Sequence, residues 1–421
     1  MSRIIQKYGG SSVANVELIK SVAKRAVAAK KDGNEVVVVL SAMKGETDRL
    51  LNLAKSIHSN PSPRELDTLL STGEQVTISL FAMACQSLGE KVKSFLGFQA
   101  GITTDTDHGR ARISDIDPKR IKTELAKGRL AVVAGFQGID RYGDITTLGR
   151  GGSDTTAVAL AIALKADICE IYTDVDGIYS TDPHICNDAR KMDRICYEEM
   201  LELASLGAKV MEIRSVELAM NYGLKIHVRH AHSQSTGTII CEEDADMEKT
   251  PVRGVTCSVN EARITLLKVP DKPGVAARIL DLISKAGIVV DMIIQNQSFT
   301  RNDDKNEDKN GLKEVHLTDF SFTVPALDFE TTLNLIKSAG DEIGAFDVVG
   351  DNNIAKVSLV GVGMRNHAGV ATLMFKALAK EGINISMIST SEIKISCIIE
   401  KKYAELAVRA LHSAFNLGEP S

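Results

Sequence analysis

The chain has 421 residues, enough for two or three domains, with 44% apolar and 25% charged residues, the ordinary balance of a globular protein. A net charge of −5, 4% aromatic residues and no Trp argue against nucleic acid as a partner, because neither a basic surface nor a base-stacking platform is supplied. No apolar run approaches the ~20 residues of a membrane span, the start MSRIIQKYGG does not read as a signal peptide, and seven Cys without a CxxC pair fit a reduced cytoplasm better than a zinc or disulfide framework.

Residues 1 to about 230 alternate strand-like and helix-like segments. A short apolar run, Ile4-Ile5, leads into Lys7-Tyr8-Gly9-Gly10-Ser11-Ser12, and a helical pattern follows over Asn15–Lys31. Two readings stand for this turn. It is a plain strand-to-helix turn that uses glycine for its geometry, or it is a phosphate cradle. In the second reading open backbone, a helix N-terminus and Lys7 act together on an anion. Glu35–Ser41 (EVVVVLS), Leu130–Phe136 (LAVVAGF) and Ile168–Thr173 (ICEIYT) read as buried parallel strands. Pro63–Leu88, Pro118–Lys127 and Ser153–Leu164 read as helices. The alternation predicts an α/β sheet covered on both faces, with ligands at the carboxyl ends of its strands.

A second glycine block, TTLGRGGSDTTA (146–157), precedes the 153–164 helix. Ser153 or Asp154 is its expected N-cap. A cap does not account for Arg150 between glycines, where a guanidinium fork suits a carboxylate or phosphate. A third block, TDVDGIYSTDP (173–183), follows the 168–173 strand. Its acids fail the spacing of a calcium loop. They fit a nucleotide site, or, for Asp176-Gly177 in particular, an Asp-rich turn. Lys209, in LGAKVMEIRS, reads as a solvated helix lysine when taken alone.

Near 230–262 the texture changes. HAHSQSTG is turn-rich, EEDADMEKT is acidic and aperiodic, and the stretch reads as a strand pair followed by a linker. Beyond it, GVAARILDLISKAGIVVDM (274–292) and GVATLMFKALAKEGINISM (369–387) align without a gap at an offset of 95, which marks two copies of one module. Glycine turns before the two helices serve packing, or place small-ligand sites at helix N-termini. The charged run 301–310 reads as a solvated loop.

No Walker A, protein-kinase, GxSxG or HExxH motif occurs, and the nine His show no metal or triad pairing. Five blocks in order, KYGGSS (7–12), ELDTLLSTGEQ (65–75), TTLGRGGSDTTA (146–157), TDVDGIYSTDP (173–183) and GAKV (207–210), resemble the aspartokinase family of the amino acid kinase superfamily. The repeat resembles that family's pair of regulatory ACT modules. The resemblance implies a three-layer αβα sandwich with a mainly parallel sheet over 1–245, a linker over 246–262, and ferredoxin-like ACT domains over 263–345 and 346–421.

It further implies ATP-dependent phosphorylation of the β-carboxylate of L-aspartate, with Mg²⁺, to give 4-phospho-L-aspartate for lysine, threonine and methionine synthesis. Lys7 would hold the transferring phosphoryl group, and Tyr8, Gly9, Gly10 and Ser41 would belong to the nucleotide and phosphate region. Thr47 would lie near the amino acid, Glu74 would pair with its α-ammonium, and Arg150, with Gly151, Gly152 and Ser153, would hold its α-carboxylate. Asp154 would organise the catalytic lysine. Thr173, Asp174, Tyr179 and Asp182 would surround the adenosine, and Lys209 and Val210 would attend the phosphates. Close relatives often carry Arg where this chain has His184, a departure that weakens the expectation of a phosphate contact at this position.

The ACT pair implies feedback by lysine, threonine or both. Expected effector contacts are Asp271, Gly274, Asp291, Gln295 and Asn296 in the first copy. Asn366, His367, Ala368, Ile383 and Asn384 are those of the second. A homo-oligomer, or assembly with a small regulatory subunit, is expected. Met247 is an ordinary linker residue or the internal start of such a subunit. The other readings are a superfamily kinase for another acceptor and a catalytically silent amino-acid sensor.

Overall fold

The computed structural model describes residues 2–205, 210–298 and 317–419, with 297–298 described in the backbone alone. Its contacts divide the chain into one unit of Met1–Ser180 with Ala189–Thr250 and another of Thr181–Asp188 with Pro251–Ser421.

The first unit is built on eight strands: β1 (Arg3–Tyr8), β2 (Glu35–Leu40), β3 (Val92–Phe95), β4 (Leu130–Ala134), β5 (Ile168–Thr173), β6 (Arg194–Cys196), β7 (Ile226–His230) and β8 (Thr238–Cys241). Their spatial order is β6-β8-β7-β5-β1-β2-β4-β3. Every pairing is parallel except that of β7 with β8, the hairpin expected near residue 230. Past Glu35, each residue of β2 is buried, as is all of β4. A central parallel strand covered on both faces requires such residues. The register sets Tyr8 beside both Leu40 and Tyr172, and Leu40 beside Ala134. The carboxyl ends of β5, β1, β2 and β4 therefore finish level, and the glycine-rich turns leave from there.

The helix Val16–Lys31 starts where Asn15 caps it, Oδ1 accepting from the Leu18 N–H at 2.9 Å. Its buried stripe of Ile19, Val22, Ala23, Ala26 and Val27 joins the core with Tyr8, Val36, Val38 and Leu40. The single helix expected over 63–88 is two, Pro63–Leu70 and Thr72–Ser87, broken at Ser71. The second approaches the end of β2 so closely that a Cβ on Gly73 would lie 2.8 Å from the Ala42 Cβ. Two features were not among the expected elements: the helix Glu46–Ile57, and a small sheet of Ile102–Thr104, Ile113–Ile116, Gln137–Ile139 and Ile145–Thr147.

The second unit carries the repeat. Its helices Val275–Lys285 and Val370–Lys380 keep the offset of 95, and both begin at a glycine in the left-handed region, Gly274 at φ 95° and Gly369 at φ 94°. The first module is a β-α-β-β-α-β unit. Its antiparallel sheet runs Ile293–Ser298, Leu317–Pro325, Glu261–Pro270, Asp347–Asp351, and its second helix is Phe329–Ile343. The second module has the helix Ala404–Ala414 and the sheet order Gly254–Ser258, Ile354–Val360, Lys394–Glu400, Met387–Thr390.

Three boundaries differ from expectation. The first module runs past 345, because its closing strand is Asp347–Asp351. The expected linker holds the strand Gly254–Ser258, which pairs with Ile354–Val360. The second copy supplies only three strands of its own, and the edge of its fully buried strand Ile354–Val360 needs a partner. Thr181–Asp188 groups with the second unit, although it lies inside the stretch assigned to the first. No helix among the described residues is long and apolar enough to cross a membrane.

Candidate active site

At the carboxyl ends of β1 and β2, a cleft of about 580 Å³ is lined by Lys7, Gly10, Ser41, Thr47, Glu74, Arg150, Gly151, Gly152 and Ser153. These residues come from four separate blocks of sequence. The parallel register brings them together.

Lys7 is the penultimate residue of β1, only 9% exposed. Its Nζ lies 2.6 Å from Oδ1 of Asp154, which is 7% exposed. A lysine so little hydrated is held in the cleft lining by this one carboxylate. Gly10 is tight: a Cβ there would sit 2.8 Å from the Ala42 carbonyl oxygen. The Gly9 N–H donates to the Tyr172 carbonyl at 3.3 Å, so of the glycine pair only Gly10 faces the cleft.

The helix Gly152–Leu164 is capped by neither Ser153 nor Asp154. Its N-cap is Gly151, at φ 70°, where a Cβ would lie 2.5 Å from the Glu212 Cβ. The left-handed turn is easy for glycine and closed to larger residues by Glu212. Ser153 and Asp154 thereby fall in the first helical turn, and their side chains serve the cleft and Lys7 instead of the helix end. Arg150 is exposed beside them, and among the described residues no carboxylate pairs with it. The Arg214 Nη2 donates to the Leu148 carbonyl at 2.8 Å and steadies the loop from behind.

Glu74 is the electrostatic anomaly. It is 3% exposed. Its Oε1 accepts from the Ala42 N–H at 3.0 Å, while its Oε2 is buried and has no hydrogen-bond partner among the described residues. Burial pushes its carboxyl up to about 8, against the pull of the Ala42 amide. A carboxyl so placed holds a proton or, when ionised, calls for a cation, and Glu74 is among the residues that line the cleft.

Of the residues expected around the nucleotide, Tyr8, Thr173, Asp174, Tyr179 and Asp182 are not in the lining of this cleft. Thr173 and Asp174 stand at the end of β5, the Thr173 hydroxyl donating to Asp174 Oδ1 at 3.1 Å. The Tyr8 side chain points into the core, stacked on Tyr172 with ring centres 4.6 Å apart, so only its backbone borders the turn. The Tyr179 hydroxyl donates to Asp176 at 2.7 Å, and Asp176 also accepts from Ser235, which makes Asp176 a turn residue. Asp182 accepts from the His184 N–H at 2.8 Å within the segment that groups with the second unit. Val210 is half-buried in a turn. Lys209 lies outside the described residues.

The sequence left several cleft residues unremarked. Lys44 lines the cleft from the turn after β2, and its Lys-Gly pair beside a strand end was a signal of the same kind as Lys7. Phe136 lines it at φ 70°, a strained conformation for an aromatic residue. Asp67 also lines it, 1% exposed.

In the second unit a smaller pocket of about 340 Å³ opens at the start of the helix Val275–Lys285, lined among others by Asp271, Gly274 and Gln295. Asp291 is engaged by the buried Lys356, which also reaches Glu261 at 3.0 Å. Asn296 is exposed on its strand, and its carbonyl accepts from Thr318 Oγ1. In the second module Asn366, His367 and Ala368 precede the matching helix, with His367 Nδ1 2.7 Å from the Gly363 carbonyl. Ile383 is buried and Asn384 exposed.

The model of the amino acid kinase family matches residues 2–230, and ACT domain models match 263–341 and 357–415. An aspartate kinase of Pseudomonas putida is 52% identical over 422 residues, covering 100% of this chain and 99% of its own. The structure of E. coli aspartokinase III in complex with aspartate and ADP (R-state) is 25% identical, with a TM-score of 0.76 over 98% of this chain and 99% of that one. The lysine and aspartate complex of the same enzyme (T-state) is likewise 25% identical, with a TM-score of 0.75 over 99% of each chain.

Proposed function

The chain belongs to the aspartate kinase branch of the amino acid kinase family and carries two ACT domains; from that premise we propose how its cleft works and what controls it. ATP donates its γ-phosphoryl group to the β-carboxylate of L-aspartate, and 4-phospho-L-aspartate and ADP leave. The observation that carries this reading is Glu74: a buried carboxylate with one oxygen that has no partner among the described residues, in the same cleft as Arg150, unpaired among those residues, and the Lys7–Asp154 pair.

An α-amino acid presents an ammonium and a carboxylate on one carbon. Glu74 supplies the partner for the first and Arg150, held by Gly151 and Gly152, a bidentate partner for the second. The side-chain carboxylate is then left to attack. It is already ionised at neutral pH, so no general base is required. Its oxygen bonds to the γ-phosphorus as the bond to the bridging oxygen of ADP breaks. Lys7 stabilises the charge on the transferring group, and positioning supplies the rest. Gly10, Ser41 and Lys44 border the phosphate side, and Thr47 and Ser153 the amino acid side. Thr173, Asp174 and Tyr179 lie toward the adenosine, with Asp182, Lys209 and Val210 assigned there by motif alone.

Among the described residues no group of three metal-ligating side chains converges in this cleft. Mg²⁺ is therefore proposed to arrive on the nucleotide, ligated by phosphate oxygens and water, as this ion favours.

Lysine, threonine or both are proposed as effectors, at the pocket of Asp271, Gly274 and Gln295 and at the matching helix start after Asn366. The E. coli enzyme's lysine complex supports this by analogy. Ile293 and Ile388, 95 residues apart, are both exposed on edge strands, which supports assembly of copies through the ACT modules. Seven free cysteines fit the reducing cytoplasm in which the lysine, threonine and methionine pathway would run. The test is ADP formation by the purified chain with ATP and Mg²⁺. It should depend on L-aspartate and fall when lysine, threonine or their mixture is added. Release of ADP that ignores aspartate overturns the reading.

A further inference from the structure

Asp67 sits in the helix Pro63–Leu70, 1% exposed, on the wall of the cleft. Its carboxylate is fully engaged. Oδ1 accepts from the Thr147 hydroxyl at 2.5 Å and the Gly109 N–H at 3.1 Å. Oδ2 lies 3.0 Å from the same N–H and 2.8 Å from His108 Nδ1. With its acceptor sites so occupied, it has little left to offer a ligand directly.

Its donors come from two loops. Thr147 closes the strand Ile145–Thr147 and leads directly into Leu148-Gly149-Arg150. Gly109 belongs to the loop 105–112, which touches that one: a Cβ on Gly149 would lie 3.2 Å from the Gly109 carbonyl oxygen. The Ala111 N–H also donates to the Thr147 carbonyl at 2.9 Å. One buried carboxylate thus pins both loops behind Arg150, a side chain that is exposed and has no ion-pair partner of its own among the described residues.

We propose that Asp67 is a positioning residue for the amino acid acceptor: it fixes the loop that aims Arg150, and so sets affinity for the substrate carboxylate without touching it. This rests on the reading of Arg150 as the carboxylate clamp. Asp67→Asn keeps the shape but removes the charge and one of the two acceptor oxygens that Thr147, Gly109 and His108 share. Losing one hydrogen bond to a charged group is worth about one to two powers of ten.

The test compares wild type, Asp67→Asn and the isosteric Thr147→Val by steady-state kinetics in both substrates, with thermal melting of each. Asp67→Asn should raise the KM for aspartate at least tenfold and leave the KM for ATP within about twofold. Thr147→Val should shift the same constant in the same direction, by less, with its melting temperature held. An equal rise in both KM values, or unchanged KM values with activity lost only in step with melting, overturns the proposal. Wild type that turns over with aspartate while Asp67→Asn keeps its aspartate KM defeats the positioning role alone. Wild type that shows no aspartate-dependent turnover defeats the clamp reading, and this proposal with it.

Discussion

Lys7 Nζ and Asp154 Oδ1 stand 2.6 Å apart, and the pair joins the end of the first strand to the first turn of the helix Gly152–Leu164. Because both are nearly buried, neither has water to replace the other. Lys7→Ala should lower kcat by about two to three powers of ten, the loss expected when one preorganised charge on a transferring group is removed. Asp154→Asn should lower it as well, by leaving Lys7 free to turn away. Single-turnover phosphoryl transfer measures both. Retention of wild-type kcat by Lys7→Ala removes Lys7 from the chemistry.

Glu74 links acceptor binding to pH. Its folded carboxyl titrates at about 8, far above its ordinary value near 4, so at pH 6 the empty cleft holds it protonated. An ammonium binds the ionised form, and aspartate binding below pH 8 therefore releases a proton. The KM for aspartate should fall as pH rises from 6 to 8, and this slope should vanish in Glu74→Gln, along with most of the affinity.

The same shift fixes the sign for stability. A raised carboxyl pKa contributes stability that is fully present below the unfolded value and is lost as pH rises through about 8. Melting curves between pH 5 and 8 should therefore show Glu74→Gln gaining on wild type as pH increases. Parallel curves would mean that Glu74 is ionised in the empty protein.

Arg150 is exposed and unpartnered among the described residues, so Arg150→Lys should leave melting unchanged. It exchanges a planar fork for a point charge. A rise of about tenfold or more in the KM for aspartate, with little change for ATP, is expected. Equal effects on the two substrates would move Arg150 from the amino acid to the nucleotide.

Gly151→Ala has to hold φ near 70° and find room 2.5 Å from the Glu212 Cβ. Strain of about 1–3 kcal/mol is expected, read as a lower melting temperature together with a larger loss of activity, since the displaced turn carries Arg150 and Ser153. In the second unit, Lys356→Met leaves Glu261 and Asp291 without their shared cation. That should lower the melting temperature by an amount matching about 1–3 kcal/mol.

The parts of this protein that could be read from its residues are those set by local chemistry. Lys7, Glu74 and Arg150 stood out as charges beside glycines or in a motif, and one cleft holds them all. The offset of 95 carried through to the φ angles of Gly274 and Gly369. What stayed hidden depends on contacts between distant segments. Ser153 and Asp154 look like caps, but the cap lies two residues before Ser153, at Gly151, where Glu212 leaves no room for a side chain. Asp67 looks like any helix acid until Thr147 and Gly109 arrive from 80 and 42 residues away. The strand Gly254–Ser258 has no periodicity to announce it, because its pairing is decided by the missing edge of a module a hundred residues further on.

The central claim is that the cleft phosphorylates the side-chain carboxylate of a free amino acid held through its α-groups. Hydroxylamine traps the acyl phosphate as a hydroxamate, so the purified chain with ATP and Mg²⁺ should yield the β-hydroxamate of L-aspartate. N-acetyl-L-aspartate, which keeps both carboxylates but presents no ammonium to Glu74, should yield none above the blank. A hydroxamate from the acetylated acceptor as readily as from L-aspartate, or from neither, would contradict the account.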